Sequence, residues 1–402
     1  MHGNNTPENQ DQLSNHVLVK REGKYWITTR PTTTPTTSTT AAEHDVRSPL
    51  RRDRLGKLLS SLSLVKRADE EEFGLKQIAT TKKSRVFTAA ISNKTFAVKL
   101  CEKPYSATKE LTMHTHVHNK IKALWPEVRQ YIGHPRLPRP RVPRPAAAVS
   151  QRRLLGTTSA VDGLMMEYIE PLHHQQRRSL IKKYLDPRLY DTTLELPGFS
   201  EMRLDVHLGE MSSSSNRQMG RLQNRPAYFD QLWTECFDCI PSWAGMMGAA
   251  LAVLHWDCGL DGRGVKFQLG LFQSRSQIWM ADFGDCALIQ RTPAFVESSL
   301  VEAIMENPAW PRPATAPSLS GIPDPDDVLP RTWETFRRIY LSTSMYLLFR
   351  GSAHVVDVNL PSQFICKMEA IWASRAENLL IEQEPSGVSS MSIGLQDTTG
   401  GE

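Results

Sequence analysis

The stretch from Trp243 to Gly284 constrains the fold more than any other part of the chain. Trp243 to Leu254 is an apolar run that predicts a helix, and it leads into His255-Trp256-Asp257. Val265 to Leu269 then alternates apolar with polar residues, LFQSRS is turn-prone, and Gln277 to Ala281 reads as a returning strand. Asp282-Phe283-Gly284 follows directly. The predicted order is helix, H-x-D loop, hairpin and D-F-G loop.

At 402 residues the chain has room for one large or two ordinary domains, and a 40% hydrophobic share suffices for a core. No run of about 18 apolar residues predicts a membrane span, and the polar start MHGNNTPENQDQ lacks the apolar centre of a secretory signal. Six unclustered cysteines suit a reducing intracellular setting, cytoplasmic or nuclear, better than a disulfide framework. The net charge of +5 draws on Arg51, Arg52, Arg54 and Lys57, and again on the arginines between Arg136 and Arg153. No recognition motif accompanies that charge, so nucleic acid is not expected as a dedicated ligand.

Residues 1 to about 45 include the tract PTTTPTTSTTAAEHD, have little to bury and are expected to be disordered. From Ser48 to Arg67 the chain turns basic, with Leu55, Leu58, Leu59 and Leu62 at helical spacing. An amphipathic helix docked on the main domain is the simpler reading, and a membrane-surface or nuclear-targeting segment is the alternative. Residues 1–70 thus form a basic tail. Strand character begins at Lys76 to Thr81 and Arg85 to Ala90, and is clearest at Lys94 to Leu100. Ala107 to Leu124 reads as a helix, while alternating prolines hold 136–148 extended as a stiff connector. Leu164 to Ile169 reads as a buried strand, and about 60 residues of weak signal follow. Helices are predicted at Thr332 to Phe349 and Pro361 to Glu382. The expected division is a β-rich unit over 71–170, a helical unit over 171–385 and a flexible tail over 386–402.

Strand, lysine, H-x-D and D-F-G in this order resemble the protein-kinase-like superfamily over about Gly74 to Arg291. The resemblance implies an α+β, two-lobed fold with a small, mostly antiparallel β N-lobe and a larger helical C-lobe behind a disordered tail. It also implies ATP and Mg²⁺ as cofactors. Lys99 in FAVKL would hold phosphate, paired with Glu110 on the next helix. Met165-Met166-Glu167-Tyr168 would be the junction whose backbone bonds adenine. Asp257 would be the base, His255 a structural residue and Asp282 the metal ligand. Two parts are missing. The metal-binding asparagine position falls on Gly262, leaving Asp261 as a substitute, and Ala79, Thr81 and Ser84 stand at the three glycine positions of the phosphate loop.

A closer resemblance is to a family of uncharacterised fungal proteins, a domain of unknown function often labelled "zinc finger protein". It rests on FAVKL, the helix ending LAVLHW, the strand ending Leu269-Gly270 and WMADFGDC. It continues with Asn307-Pro308 through Pro311-Arg312-Pro313, and with Trp333, Phe336 and Tyr340. The chain departs from the family's wording at Asp261 to Phe267 and at Pro308-Ala309-Trp310.

The zinc label is testable on the residues. Cys236-x-x-Cys239 and His255-x-x-Cys258 are ligand-like pairs, yet the apolar helix between them would hold them roughly 20 Å apart at about 1.5 Å per residue. Zinc needs its ligands about 2.0 to 2.3 Å from one centre, so zinc is not expected. The leading reading is a degenerate kinase-like module with weak or no nucleotide binding that acts through a protein partner. The alternatives are an active Mg·ATP phosphotransferase on a protein or small-molecule hydroxyl, and a zinc- or nucleic-acid-binding module.

Overall fold

The computed structural model describes residues 16–21, 24–29, 76–80, 83–91, 94–102, 106–150, 162–212, 222, 224–319, 327–350 and 357–383. The chain divides into two units, Met1–Arg54 and Leu55–Glu402. In the first, β1 (His16–Arg21) and β2 (Lys24–Thr29) pair antiparallel with two residues between them. This local ribbon lies in the stretch expected to lack fixed structure. The rest of that stretch, the leucine-rich segment 48–67 and the tail 386–402 lie outside the described residues.

The second unit opens with β3 (Lys76–Thr80), β4 (Ser84–Ile91) and β5 (Lys94–Cys101), then α1 (Ser106–Tyr131), β6 (Pro145–Ser150) and β7 (Asp162–Glu167). The five strands form one antiparallel sheet in the order β3-β4-β5-β7-β6. The proline connector ends as its edge strand, where Pro145 occupies the first position and its missing N–H removes no interior ladder bond. Helix α1 buries Ala107, Glu110, His114, Val117, Ile121, Leu124, Trp125 and Val128, a stripe of three- and four-residue steps that packs on β6 and β7.

The larger lobe holds α2 (His174–Tyr184), β8 (Arg203–His207), β9 (Asn224–Tyr228), α3 (Phe229–Cys236), α4 (Ile240–Ala252), β10 (Lys266–Phe272), β11 (Arg275–Ala281), α5 (Val328–Arg350) and α6 (Leu360–Gln383). A second sheet, ordered β11-β10-β8-β9, joins the expected hairpin to two strands from the weak-signal stretch. Its β8–β9 pair is parallel. Helix α4 does not stop before His255: a π turn carries it through Val253–Cys258 to Gly259, which caps it at φ 69°. The H-x-D triplet is therefore helical rather than the loop expected.

By length and composition the run Phe229–Cys258 would pass as a membrane span, although no unbroken apolar stretch of that length predicts one in the sequence. With 67% of its apolar window buried inside the protein, it is the core helix of this lobe. It crosses α5 closely. A Cβ at Gly248 would stand 2.5 Å from the Phe336 carbonyl oxygen and 3.1 Å from the Tyr340 nitrogen. Backbone cannot retreat as a side-chain tip can, so Gly248→Ala should lower the unfolding free energy by about 1–3 kcal/mol. Urea titration checks this, and an unchanged midpoint would mean that the crossing has slack.

Candidate functional site

The cleft between the lobes is organised by Lys99. Alternation along β5 turns its side chain off the apolar row, and its Nζ stands 2.7 Å from Glu110 Oε1 and 2.5 Å from Asp282 Oδ1. Strand β5, helix α1 and the loop after β11 thus meet at one ammonium. Burial alone would lower the Lys99 pKa, but Asp282 and Glu110 outweigh it and raise it. Burial would likewise raise the Asp282 carboxyl, yet Lys99 and Lys266 hold it below the usual carboxylate range. Asp282 itself is a non-glycine residue at φ 72°. Beside it, Phe283 is fully buried edge-on to His114, and a Cβ at Gly284 would lie 2.8 Å from Glu110 Oε2. Lys109 ties the loop further by donating to the carbonyls of Gly284 and Cys286.

The other expected site residues are distributed unevenly. Ala79 and Ser84 line the cleft, Ala79 opposite Val86 on β4 and Ser84 opposite Cys101 on β5, while Thr81 lies outside the described residues. Glu167 also lines it, but its backbone N–H donates to Arg144 O and its carboxylate accepts from Arg141 at 3.3 Å and Arg144 N at 3.0 Å. Asp261 is buried and accepts from the backbone of Arg263 at 3.1 Å and Ala287 at 2.9 Å, so it braces a loop rather than facing the cleft. Asp257 is not brought to the cleft at all. It sits on the π turn and pairs with Lys120 of α1 at 2.8 Å. His255 is structural as expected: it is fully buried, with Nδ1 3.0 Å from the Tyr340 hydroxyl.

Four residues went unread in the sequence. Lys266, at the start of β10, places Nζ 3.0 Å from Asp282 Oδ2, where a metal ligand was sought at Gly262 or Asp261. Arg203 of β8 is buried, donates from Nε to Ile169 O at 2.6 Å, and lies 4.8 Å over the Tyr168 ring. Its neighbour Glu201 binds the Tyr168 hydroxyl and Lys76 of β3. Asp205, buried beside Gln268, has its carboxyl raised by burial. Only Lys266 carried a signal, as the sole cation in the VKFQLGL strand.

The two ligand-like pairs considered for zinc lie at opposite ends of α4, about 20 Å apart along the helix axis. Among the described residues no group of three or more His, Cys, Asp or Glu converges as a metal site.

The family model described as "DUF3669: Zinc finger protein" matches residues 278–351. That stretch contains one cysteine, Cys286, and no histidine, so it cannot itself supply four such ligands to zinc. No curated protein matches the sequence. Among solved structures, the chain is similar to a Helicobacter pylori proinflammatory kinase, CtkA, at 10% identity. That match covers 76% of this chain and 95% of the other, with a TM-score of 0.30. It is also similar to a thermostable mutant of aminoglycoside phosphotransferase APH(4)-Ia (12%, 80% and 100%, TM-score 0.23) and to a Plasmodium vivax ethanolamine kinase (11%, 84% and 99%, TM-score 0.21). The described residues form an α+β fold: a five-stranded antiparallel sheet with one long helix, and a helical lobe that carries the D-F-G hairpin.

Burial pushes His255 down to about 3 and His114 to about 4, from an ordinary 6.5, so both are neutral in the folded protein. Below pH 6.5 the unfolded chain binds protons that the folded one refuses, and stability must fall as pH drops. Urea midpoints should decline from about pH 6.5 to pH 5, above the range where carboxylates titrate, and His255→Phe should flatten part of that decline. A level profile across this window would contradict the neutral, buried assignment.

Proposed function

We propose that this chain is a kinase-like module that does not transfer phosphate and acts through protein contacts. One observation carries the reading: Lys266 Nζ lies 3.0 Å from Asp282 Oδ2 while Lys99 takes Oδ1. Both oxygens of the carboxylate expected to hold Mg²⁺ are engaged by ammonium groups. Two unit charges 4 Å apart interact by roughly 4 kcal/mol at an effective dielectric of about 20, so the two ammonium groups cancel much of the attraction that Asp282 and Glu110 would offer a dication. Mg²⁺ also requires oxygen ligands in near-octahedral array, and an ammonium offers none. These residues do not fit the ion.

They fit a nucleotide no better. The cleft encloses about 100 Å³, against roughly 300 Å³ or more for a small-molecule site. Arg203 takes the Ile169 carbonyl, an acceptor in the segment where kinases bond adenine through backbone atoms. Asp257, engaged by Lys120, leaves the cleft without the base that orients an acceptor hydroxyl. A second reading, a working Mg·ATP phosphotransferase, draws support from the Lys99–Glu110 pair at 2.7 Å beside Asp282.

Thermal unfolding separates the two. Millimolar Mg·ATP should leave the wild-type Tm unmoved, and Lys266→Asn, which removes one ammonium and supplies an amide oxygen, should create a nucleotide-dependent rise. A wild-type rise that Asp282→Ala abolishes would overturn the first reading in favour of the second.

A further inference from the structure

The second sheet has two unlike faces. One row across it, Gln268 and Asp205, is polar, with Gln268 at the cleft and Asp205 at the pocket beside it. The neighbouring row runs Ile278, Leu269, Leu204 and Arg225 in register, and it faces the other way. That second row floors a cavity of about 480 Å³ walled by Leu180 of α2, Leu232 of α3 and Trp243 of α4. The volume lies within the roughly 300–1,000 Å³ of small-molecule sites.

Arg225 ends the aliphatic row as a cation with only neutral partners. Its Nη1 donates to Gln231 Oε1 at 3.2 Å and to Pro226 O at 3.3 Å, and the guanidinium lies 5.6 Å from the Tyr184 ring centre. No carboxylate among the described residues forms an ion pair with it. The two acids nearby are committed elsewhere. Asp230 accepts from the Ser212 backbone at 2.9 Å and from its hydroxyl. Glu235 is held by Lys183 at 2.8 Å and by the Tyr184 hydroxyl at 2.7 Å. A partly buried guanidinium stays charged at any physiological pH, and leaving it without a counter-charge is costly.

We propose that this cavity binds a small amphipathic carboxylate, its acid group on Arg225 and its apolar body along Leu204, Leu269 and Ile278. One planar guanidinium matches a monoanionic carboxylate through two parallel hydrogen bonds. A phosphate dianion would want a second cation, and Lys183 at the rim already holds Glu235. The site lies on the face of the sheet away from Lys99, so it stands whether or not the cleft is inert.

Decanoate and its uncharged counterpart decanol test the assignment by calorimetry on the full chain. Decanoate should bind one per chain at micromolar concentration, and decanol at least tenfold more weakly. Arg225→Met should weaken decanoate at least tenfold and leave decanol unchanged, and Arg225→Lys should recover part of the loss. Cys239 is exposed and lines the cavity, so decanoate should slow its alkylation while leaving the exposed Cys366 unaffected. This readout needs only wild-type protein, should Arg225→Met fail to fold. Equal affinity for decanoate and decanol, displacement of decanoate by inorganic phosphate at matching concentration, saturation without protection of Cys239, or absence of saturable binding would each overturn the proposal.

Discussion

Everything at the lobe junction depends on the Lys99 ammonium between Glu110 and Asp282. Two consecutive elements supply Lys99 and Glu110, and a loop 183 residues further along supplies Asp282, so local and long-range folding meet at this one ammonium. Removing one member of such a buried set leaves an uncompensated charge, at a typical cost of about 3–5 kcal/mol. The junction is built to prevent that. Phe283 packs under His114, Gly284 admits the Glu110 carboxylate, and Lys109 holds two carbonyls of the same loop.

The architecture was largely legible in the sequence because its elements have strong periods. FAVKL, the hairpin, the core helix and the two C-terminal helices all fall where alternation or three-to-four spacing put them, to within a few residues. The Lys99–Glu110 pair and Asp282 were readable through the motifs FAVKL and D-F-G, whose roles the resemblance supplied. Asp257 was not. Its assignment rested on a three-residue pattern, and three residues do not say whether a helix has ended. Here the apolar run kept the helix going through a π turn, which carried the carboxylate toward α1 instead of the cleft. Lys266 and Arg203 were harder still. A lysine at a strand start and an arginine in a weak-signal stretch look like solvated charges until tertiary pairing turns them inward, and that pairing is long-range.

Strands β8 and β9 bear directly on the cleft. Arg203 and Glu201 connect Tyr168 and Ile169 to β3 through Lys76. The same strands separate the tight cleft on one side of the sheet from a larger cavity on the other.

The close crossing at Gly248 also bears on how the chain is made. Roughly ninety residues separate Gly248 from the backbone of Phe336 that it packs against, and at about 5–20 residues per second that interval lasts on the order of ten seconds. Throughout it the apolar run Phe229–Cys258 is outside the ribosome without its partner helix. A segment with the composition of a membrane span, waiting that long in water, is a natural client for chaperones that hold exposed apolar helices. It is also where a nascent chain of this protein would first aggregate.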